Sequence, residues 1–172
     1  AITTVRHRST LLASAAVTSA TLAWTAGAWT QARVSGHRHG RGLVQVGLAL
    51  VLIGVAGTAV ALRPPVPVGV AVASWSVAGL GIGLAYAPLS LMMLRESPAG
   101  REGWASASLN LSDVLGTALG VGFGGAAVAL SASMGRSLSA GITVAFALAG
   151  AAAIIGLVVA RRLPVTTAGV CT

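Results

Sequence analysis

The sequence contains no lysine and very few acids: of its 172 residues, 11 are arginine and only 3 are aspartate or glutamate. Charged residues make up 8% of the chain, whereas a soluble domain has about 25%. With 55% hydrophobic residues and a mean hydropathy of +0.88, the chain is too apolar to present a water-facing surface of this size. The scarcity of charge therefore excludes an ordinary soluble globular domain.

Cysteine, histidine and aromatic residues are also scarce, and each shortage excludes a class of function. The single cysteine, Cys171, forms no internal disulfide and no cysteine-based metal site. The three histidines fall outside the apolar segments, so no Ser/His/Asp arrangement and no metal site is predicted. The arginines are spread singly or in pairs without interleaved aromatics, which argues against nucleic-acid binding. We expect no enzymatic activity, no cofactor and no nucleic-acid partner.

All charged residues but one lie in short loops or at the ends, and they separate five apolar segments. A bilayer core about 30 Å thick is crossed by about 20 helical residues. Helices are required because backbone groups in lipid must be paired within the segment, and barrel strands would be about half as long. The sequence predicts an all-α integral membrane domain of five helices in contact with the lipid bilayer. The spans are residues 10–32, 43–62, 68–94, 104–132 and 138–160, followed by a tail at 161–172.

The arginines also predict the orientation of these spans. When the loops are assigned to alternating sides, seven arginines fall on one side and four on the other. The side richer in arginine is usually cytoplasmic. This predicts a multi-pass protein of the plasma membrane with a cytoplasmic C-terminus and an external N-terminus. Because complete multi-helix transporters commonly begin and end in the cytoplasm, we expect an odd number of further helices upstream.

Asp113 is the exception to the charge pattern, since it lies inside the fourth segment about 15 Å from its inner end. An acid at this depth is expensive and usually marks a proton or substrate pathway. Residues spaced i, i+4, i+7 and i+11 lie on one side of a helix. In this segment those residues are polar, so we expect that side to contact protein or a water-filled cavity. The alternative is a structural acid that hydrogen-bonds a neighbouring helix. The polar stripe consists of Ser106, Asn110, Asp113 and Thr117.

Glycines recur at close spacing in two of the segments. Small residues at helical spacing let membrane helices approach closely, which predicts packing faces. In the third segment a later proline also weakens the helix and permits a bend, although close packing is the favoured interpretation. A tyrosine of the same segment is a candidate for lining a cavity. The predicted packing glycines are Gly79 and Gly83 in the third segment and Gly116, Gly120 and Gly124 in the fourth, and the tyrosine is Tyr86.

Three stretches together resemble parts of a known transporter family. Residues 27–33 read GAWTQAR, residues 79–84 read GLGIGL and residues 103–110 read GWASASLN. They resemble, in order, the loop between helices eight and nine, the tenth helix, and the start of the eleventh helix of drug exporters in the major facilitator superfamily. Gln31 stands where the family loop often has an acid. The residues that would form this cytoplasmic loop are Arg33, Gly36, Arg38, Gly40 and Arg41.

The resemblance implies that the chain covers helices eight to twelve, with seven helices missing upstream. In that family two six-helix halves rock around a central cavity, and exporters couple outward drug movement to inward proton flow. The leading hypothesis is thus the C-terminal part of a proton-coupled exporter of small amphipathic or drug-like compounds, completed by the missing N-terminal helices. The alternative is a non-transporting five-helix subunit that packs against a partner membrane protein. The sequence does not identify a substrate.

Overall fold

The computed structural model describes residues 10–34, 40–63 and 65–163. Over these residues the chain is all-helical, with five helices and no strand. This confirms the predicted all-α class and the number of helices. The helices are α1 (Thr10–Val34), α2 (Gly40–Ala61), α3 (Val68–Arg95), α4 (Glu102–Ser133) and α5 (Leu138–Ala160).

The helix ends follow from local backbone chemistry. Pro67 is the N-cap residue of α3, where its missing N–H costs nothing because the first N–H groups of a helix have no partner within that helix. After α4, Gly135 adopts a left-handed φ of 67°, which glycine accepts without a steric cost. The Arg136 N–H donates to the Ser131 carbonyl at 2.9 Å and the Gly135 N–H to the Ala132 carbonyl at 3.1 Å. These two bonds form a Schellman motif, which terminates α4 and starts the tight turn into α5.

The contact between α3 and α1 depends on glycines of α3. A Cβ atom added at Gly79 would collide with the Ala20 carbonyl oxygen, and one added at Gly83 with the Trp24 carbonyl oxygen. Only glycine therefore permits this separation of the two backbones. A hydrogen bond of 3.0 Å from Ser76 Oγ to Ser19 Oγ also links the two helices. No sequence pattern had indicated that bond.

The contact between α3 and α2 uses the opposite face of α3. A Cβ atom at Gly81 would collide with the Gly47 carbonyl oxygen, and one at Gly47 would lie 2.5 Å from the Gly81 carbonyl oxygen. Further along, a Cβ atom at Gly54 would lie 2.7 Å from the Ala78 Cβ. Because residues two apart point to nearly opposite sides of a helix, α3 is packed between α1 and α2.

The two remaining helices extend the bundle from α2. A Cβ atom at Gly156 of α5 would lie 3.8 Å from the Leu48 side chain of α2. A Cβ atom at Gly141 of α5 would lie 2.8 Å from the Val128 Cα of α4. The helices thus pack in the order α1, α3, α2, α5 and α4, which leaves α4 at the edge of the bundle.

The paired residues also show the helix directions. Helices α1 and α3 are parallel to each other. Helix α2 is antiparallel to α3, α5 is antiparallel to α2, and α4 is antiparallel to α5. Successive helices therefore alternate, so every second connection lies at the same end of the bundle. We call the end with more of the described arginines the arginine-rich end. It carries Arg33, Arg41, Arg95, Arg101, Arg161 and Arg162, and the opposite end carries Arg63 and Arg136.

Four of the described helices, α2 to α5, are long and apolar enough to cross a membrane, which is compatible with a multi-pass membrane protein. Helix α1 has 25 residues but is rich in threonine and serine. Several of its hydroxyls donate to carbonyls of the preceding turn, as Thr25 does to Thr21 at 3.1 Å and Thr30 to Ala26 at 2.7 Å. Such bonds pair the hydroxyls within the helix. The predicted span at residues 10–32 stays a prediction.

Candidate functional site

The polar stripe lies on α4, the longest described helix, with 32 residues. Trp104, an exposed ring in the first turn, marks the arginine-rich end of α4. Asp113 follows it by nine residues, which is about 14 Å along the helix axis. In a hydrocarbon core about 30 Å thick, that distance places the carboxyl group near the middle.

The middle of α4 is not covered by the other described helices. Every residue from 110 to 123 is exposed, including Asp113 and Thr117 as well as Leu115 on the opposite face. Lipid covers an apolar helix face at little cost, but a carboxyl group in hydrocarbon is expensive unless protein or water surrounds it. The polar side of α4 therefore needs a neighbour other than lipid.

Hydrogen bonds within α4 account for part of its polar surface. The Asn110 Nδ2 atom donates to the Ser106 carbonyl at 3.1 Å, and the Ser112 Oγ atom donates to the Ser108 carbonyl at 2.9 Å. These bonds pair side chains along the helix and leave the Asp113 carboxyl group facing outward from α4. Rotation of 100° per residue places Ser106, Asn110, Asp113 and Thr117 on one face.

The same face continues toward the opposite end of α4 and becomes its packing surface with α5. Steps of three and four residues lead from Thr117 through Gly120 to Gly124, Val128 and Ser131. A Cβ atom at Gly124 would lie 3.6 Å from the Ala145 Cβ of α5, and Ser131 is buried. One face of α4 is thus covered by α5 near the turn between them and uncovered where Asp113 lies.

The glycines that the sequence singled out lie in two different environments. Gly79 and Gly83 are buried against α1. At Gly116 and Gly120, by contrast, no described atom lies within 4 Å of where a Cβ atom would stand. Within the described part of the chain these two glycines therefore contact no other helix.

Tyr86 lies apart from the polar stripe. It is on α3, where its half-exposed ring lines an apolar groove between α2, α3 and α5. The structure therefore does not bring it together with the α4 residues. Sequence reasoning missed the groove itself, because its aliphatic lining residues resemble all other apolar positions of these helices.

Most residues of the predicted basic loop lie in the adjoining ends of α1 and α2. Arg33 lies in the last turn of α1 with its guanidinium 3.5 Å from the centre of the Trp29 ring, a cation–π contact. Gly40 and Arg41 form the start of α2. Gln31 is only 5% exposed and lies within α1. Two other predicted loop residues, Gly36 and Arg38, lie outside the described residues.

The chemistry open to this site is the binding and release of a proton. A carboxyl group exchanges protons, and the adjacent hydroxyl and amide groups donate or accept hydrogen bonds from water or a polar substrate. In residues 10–34, 40–63 and 65–163 there is no group of three histidine, cysteine, aspartate or glutamate residues that could hold a metal ion.

Comparison with known protein families, with curated proteins and with solved structures gave no match. The resemblance to the major facilitator superfamily therefore stays a prediction that rests on the sequence motifs.

Proposed function

We propose that this chain is the C-terminal part of a secondary active transporter of the plasma membrane that exports small amphipathic compounds in exchange for protons. In this proposal the polar stripe of α4 lines the transport pathway, and Asp113 binds the coupling proton. The observation that carries it is the position of Asp113, about 14 Å along α4 from Trp104 and on the face of α4 that α5 covers only at the far end. The arginine-rich end, and with it the C-terminus, would be cytoplasmic.

An alternating-access mechanism explains why an ionisable side chain would lie in the middle of a membrane-spanning helix. A transporter needs a midplane site that faces water from one side at a time, formed where two groups of helices meet. In this proposal the described helices form one wall of the site, and the exposed polar stripe of α4 faces the other wall. Further helices, which we propose come from the N-terminal part of the same transporter, would form the other wall.

The proposal predicts that Asn110→Cys reacts with a membrane-impermeant maleimide, whereas Leu111→Cys does not. Asn110 is on the polar stripe and Leu111 lies about 130° around the helix from the centre of the stripe, so water should reach the first and lipid should cover the second. The measurement is maleimide labelling in intact membranes of the assembled protein, in a Cys171→Ser background. Protection of Asn110→Cys by an excess of transported compound would further support the pathway assignment.

A second function is favoured by one specific observation, the uncovered glycines Gly116 and Gly120 beside the stripe. In that case the chain is a non-transporting subunit whose α4 packs tightly against a partner membrane protein. Asn110→Cys and Leu111→Cys would then both stay unlabelled, because protein covers one face and lipid the other. That result would contradict the transporter proposal.

A related prediction concerns the isolated chain. Because residues 110–123 are exposed on all sides, the described helices do not enclose a pathway. Purified residues 1–172 in liposomes should therefore not move ethidium, a cationic amphipathic dye, when a proton gradient is imposed. Accumulation of ethidium above the level of protein-free liposomes would show that the chain transports by itself.

A further inference from the structure

An apolar groove of about 410 Å³ runs between α2, α3 and α5 at the arginine-rich end. It is open to the outside of the bundle, and its lining atoms are almost all carbon. Six residues that form its walls are Val44, Leu48, Ile82, Tyr86, Val159 and Leu163.

The length of the groove limits what fits into it. Its lining residues on α2 run from Val44 to Val51, which is about 10 Å along the helix. One leaflet contributes about half of a 30 Å hydrocarbon core. The groove therefore lies within a single leaflet. A membrane-spanning helix of a partner would need a groove along the whole length of α2, whereas an acyl chain of that leaflet needs only this part.

Positive charge borders the groove at the end where a lipid headgroup would lie. Arg161 and Arg162 are exposed and stand between the lining residues Ala160 and Leu163. Arg41 precedes the lining residue Val44 by about one helical turn. The described acids at this end are Glu96, which directly follows α3, and Glu102, the first residue of α4, and neither of them lines the groove. The groove is thus apolar inside and cationic at its mouth.

From the apolar interior and the cationic mouth of the groove, we infer that it binds one acyl chain of an anionic phospholipid. The phosphate of that lipid contacts Arg161, Arg162 and Arg41. Guanidinium groups bind phosphate through paired, charge-assisted hydrogen bonds. The site belongs to α2, α3 and α5 and does not involve the polar stripe of α4. It is therefore independent of the proposed transport function and would also exist in a non-transporting subunit.

The headgroup part of the site is tested by native mass spectrometry of the full chain in detergent. The probes are dioleoyl phosphatidylglycerol and dioleoyl phosphatidylcholine, which share acyl chains and differ in net charge. We expect tighter binding of phosphatidylglycerol, weakened about fivefold by Arg161→Gln, the effect of one basic side chain near an anionic lipid surface. The matched control is Arg136→Gln at the opposite end of the bundle, which should change neither affinity.

The acyl-chain part of the site is tested by filling the groove. A Cβ atom at Gly156, a lining residue, would lie in ordinary contact with Leu48, so Gly156→Leu extends into the groove without a backbone collision. It should weaken the binding of both lipids. The control is Gly150→Leu on the same helix, where the Cβ atom would lie 4.0 Å from Leu52 and outside the groove.

Three results would overturn the inference. The first is equal binding of the two lipids by the unaltered chain, and the second is an equal loss of phosphatidylglycerol binding in Arg136→Gln and Arg161→Gln. The third comes from benzophenone photo-crosslinking at Ile82 in vesicles of phosphatidylglycerol and phosphatidylcholine. Cross-links to phosphatidylglycerol above its share of the vesicle support the site, and cross-links to a second copy or to residues 164–172 contradict it. The arginine variants keep the test decisive if Gly156→Leu does not fold.

Discussion

Asp113→Asn is expected to abolish proton-driven export by the complete transporter while leaving its amount in the membrane unchanged. Asparagine keeps the size of the side chain and still forms hydrogen bonds, but it does not bind and release a proton. Because Asp113 is exposed on α4, the exchange disturbs no packing among the described helices. The measurement is the proton-driven uptake of ethidium into inverted membrane vesicles, which corresponds to export from the cell. This uptake should fall to the level of vesicles that lack the protein.

Two further variants show whether the loss comes from the missing carboxyl group. Asp113→Glu keeps an ionisable group at this depth and should retain part of the export. Ser112→Ala changes the neighbouring residue and removes a hydroxyl that donates to the Ser108 carbonyl within α4, so it should leave export nearly unchanged. Normal export by Asp113→Asn would show that the acid has a structural role, and the proton-coupling proposal would then be wrong.

Gly83→Leu is expected to lower the free energy of unfolding by about 3 kcal/mol, the upper part of the range for overpacking a core. A Cβ atom at Gly83 collides with the Trp24 carbonyl oxygen and lies 2.9 Å from the Ala28 nitrogen. Both atoms belong to the backbone of α1, so the clash is relieved only if α1 moves away from α3. This loss is measured by unfolding the purified protein with increasing SDS and monitoring tryptophan fluorescence and circular dichroism.

The matched control for this variant is Gly122→Leu on α4. No described atom lies within 4 Å of a Cβ atom at Gly122, and leucine is the better helix former. Its unfolding free energy should stay the same or rise slightly. Equal destabilisation by both substitutions would show that the close approach of α1 and α3 is not what makes Gly83 necessary.

The sequence predicted the helices well because their ends depend on local chemistry. Arginines in connections, Pro67 before α3 and the glycine that ends α4 are all readable in the chain, and the apolar run between such signals has to be helical in lipid. The weakest prediction concerned α1 as a span, because its hydroxyls reduce hydropathy while remaining paired inside the helix. Whether each hydroxyl is hydrogen-bonded within the helix depends on its side-chain rotamer, which the composition does not show.

The candidate site was only partly predictable, because its definition depends on neighbours far away in the chain. Helical periodicity alone placed Ser106, Asn110, Asp113 and Thr117 on one face. Periodicity did not show that α5 covers this face only near Gly124 and leaves Asp113 uncovered. It likewise gave no reason to connect Tyr86 with α2 and α5.

The sequence by itself determined the helical class, the alternation of arginine-rich and arginine-poor connections, and the isolation of one acid within an apolar segment. These properties follow from the cost of exposing backbone groups and charges to hydrocarbon, which each segment meets on its own. Only the tertiary structure decided which glycines are packing positions. Gly83 and Gly116 both belong to rows of closely spaced glycines, yet one lies against the backbone of α1 and the other has no described neighbour. The physical reason is that a glycine allows a close approach, whereas the position of the second helix determines whether that approach occurs.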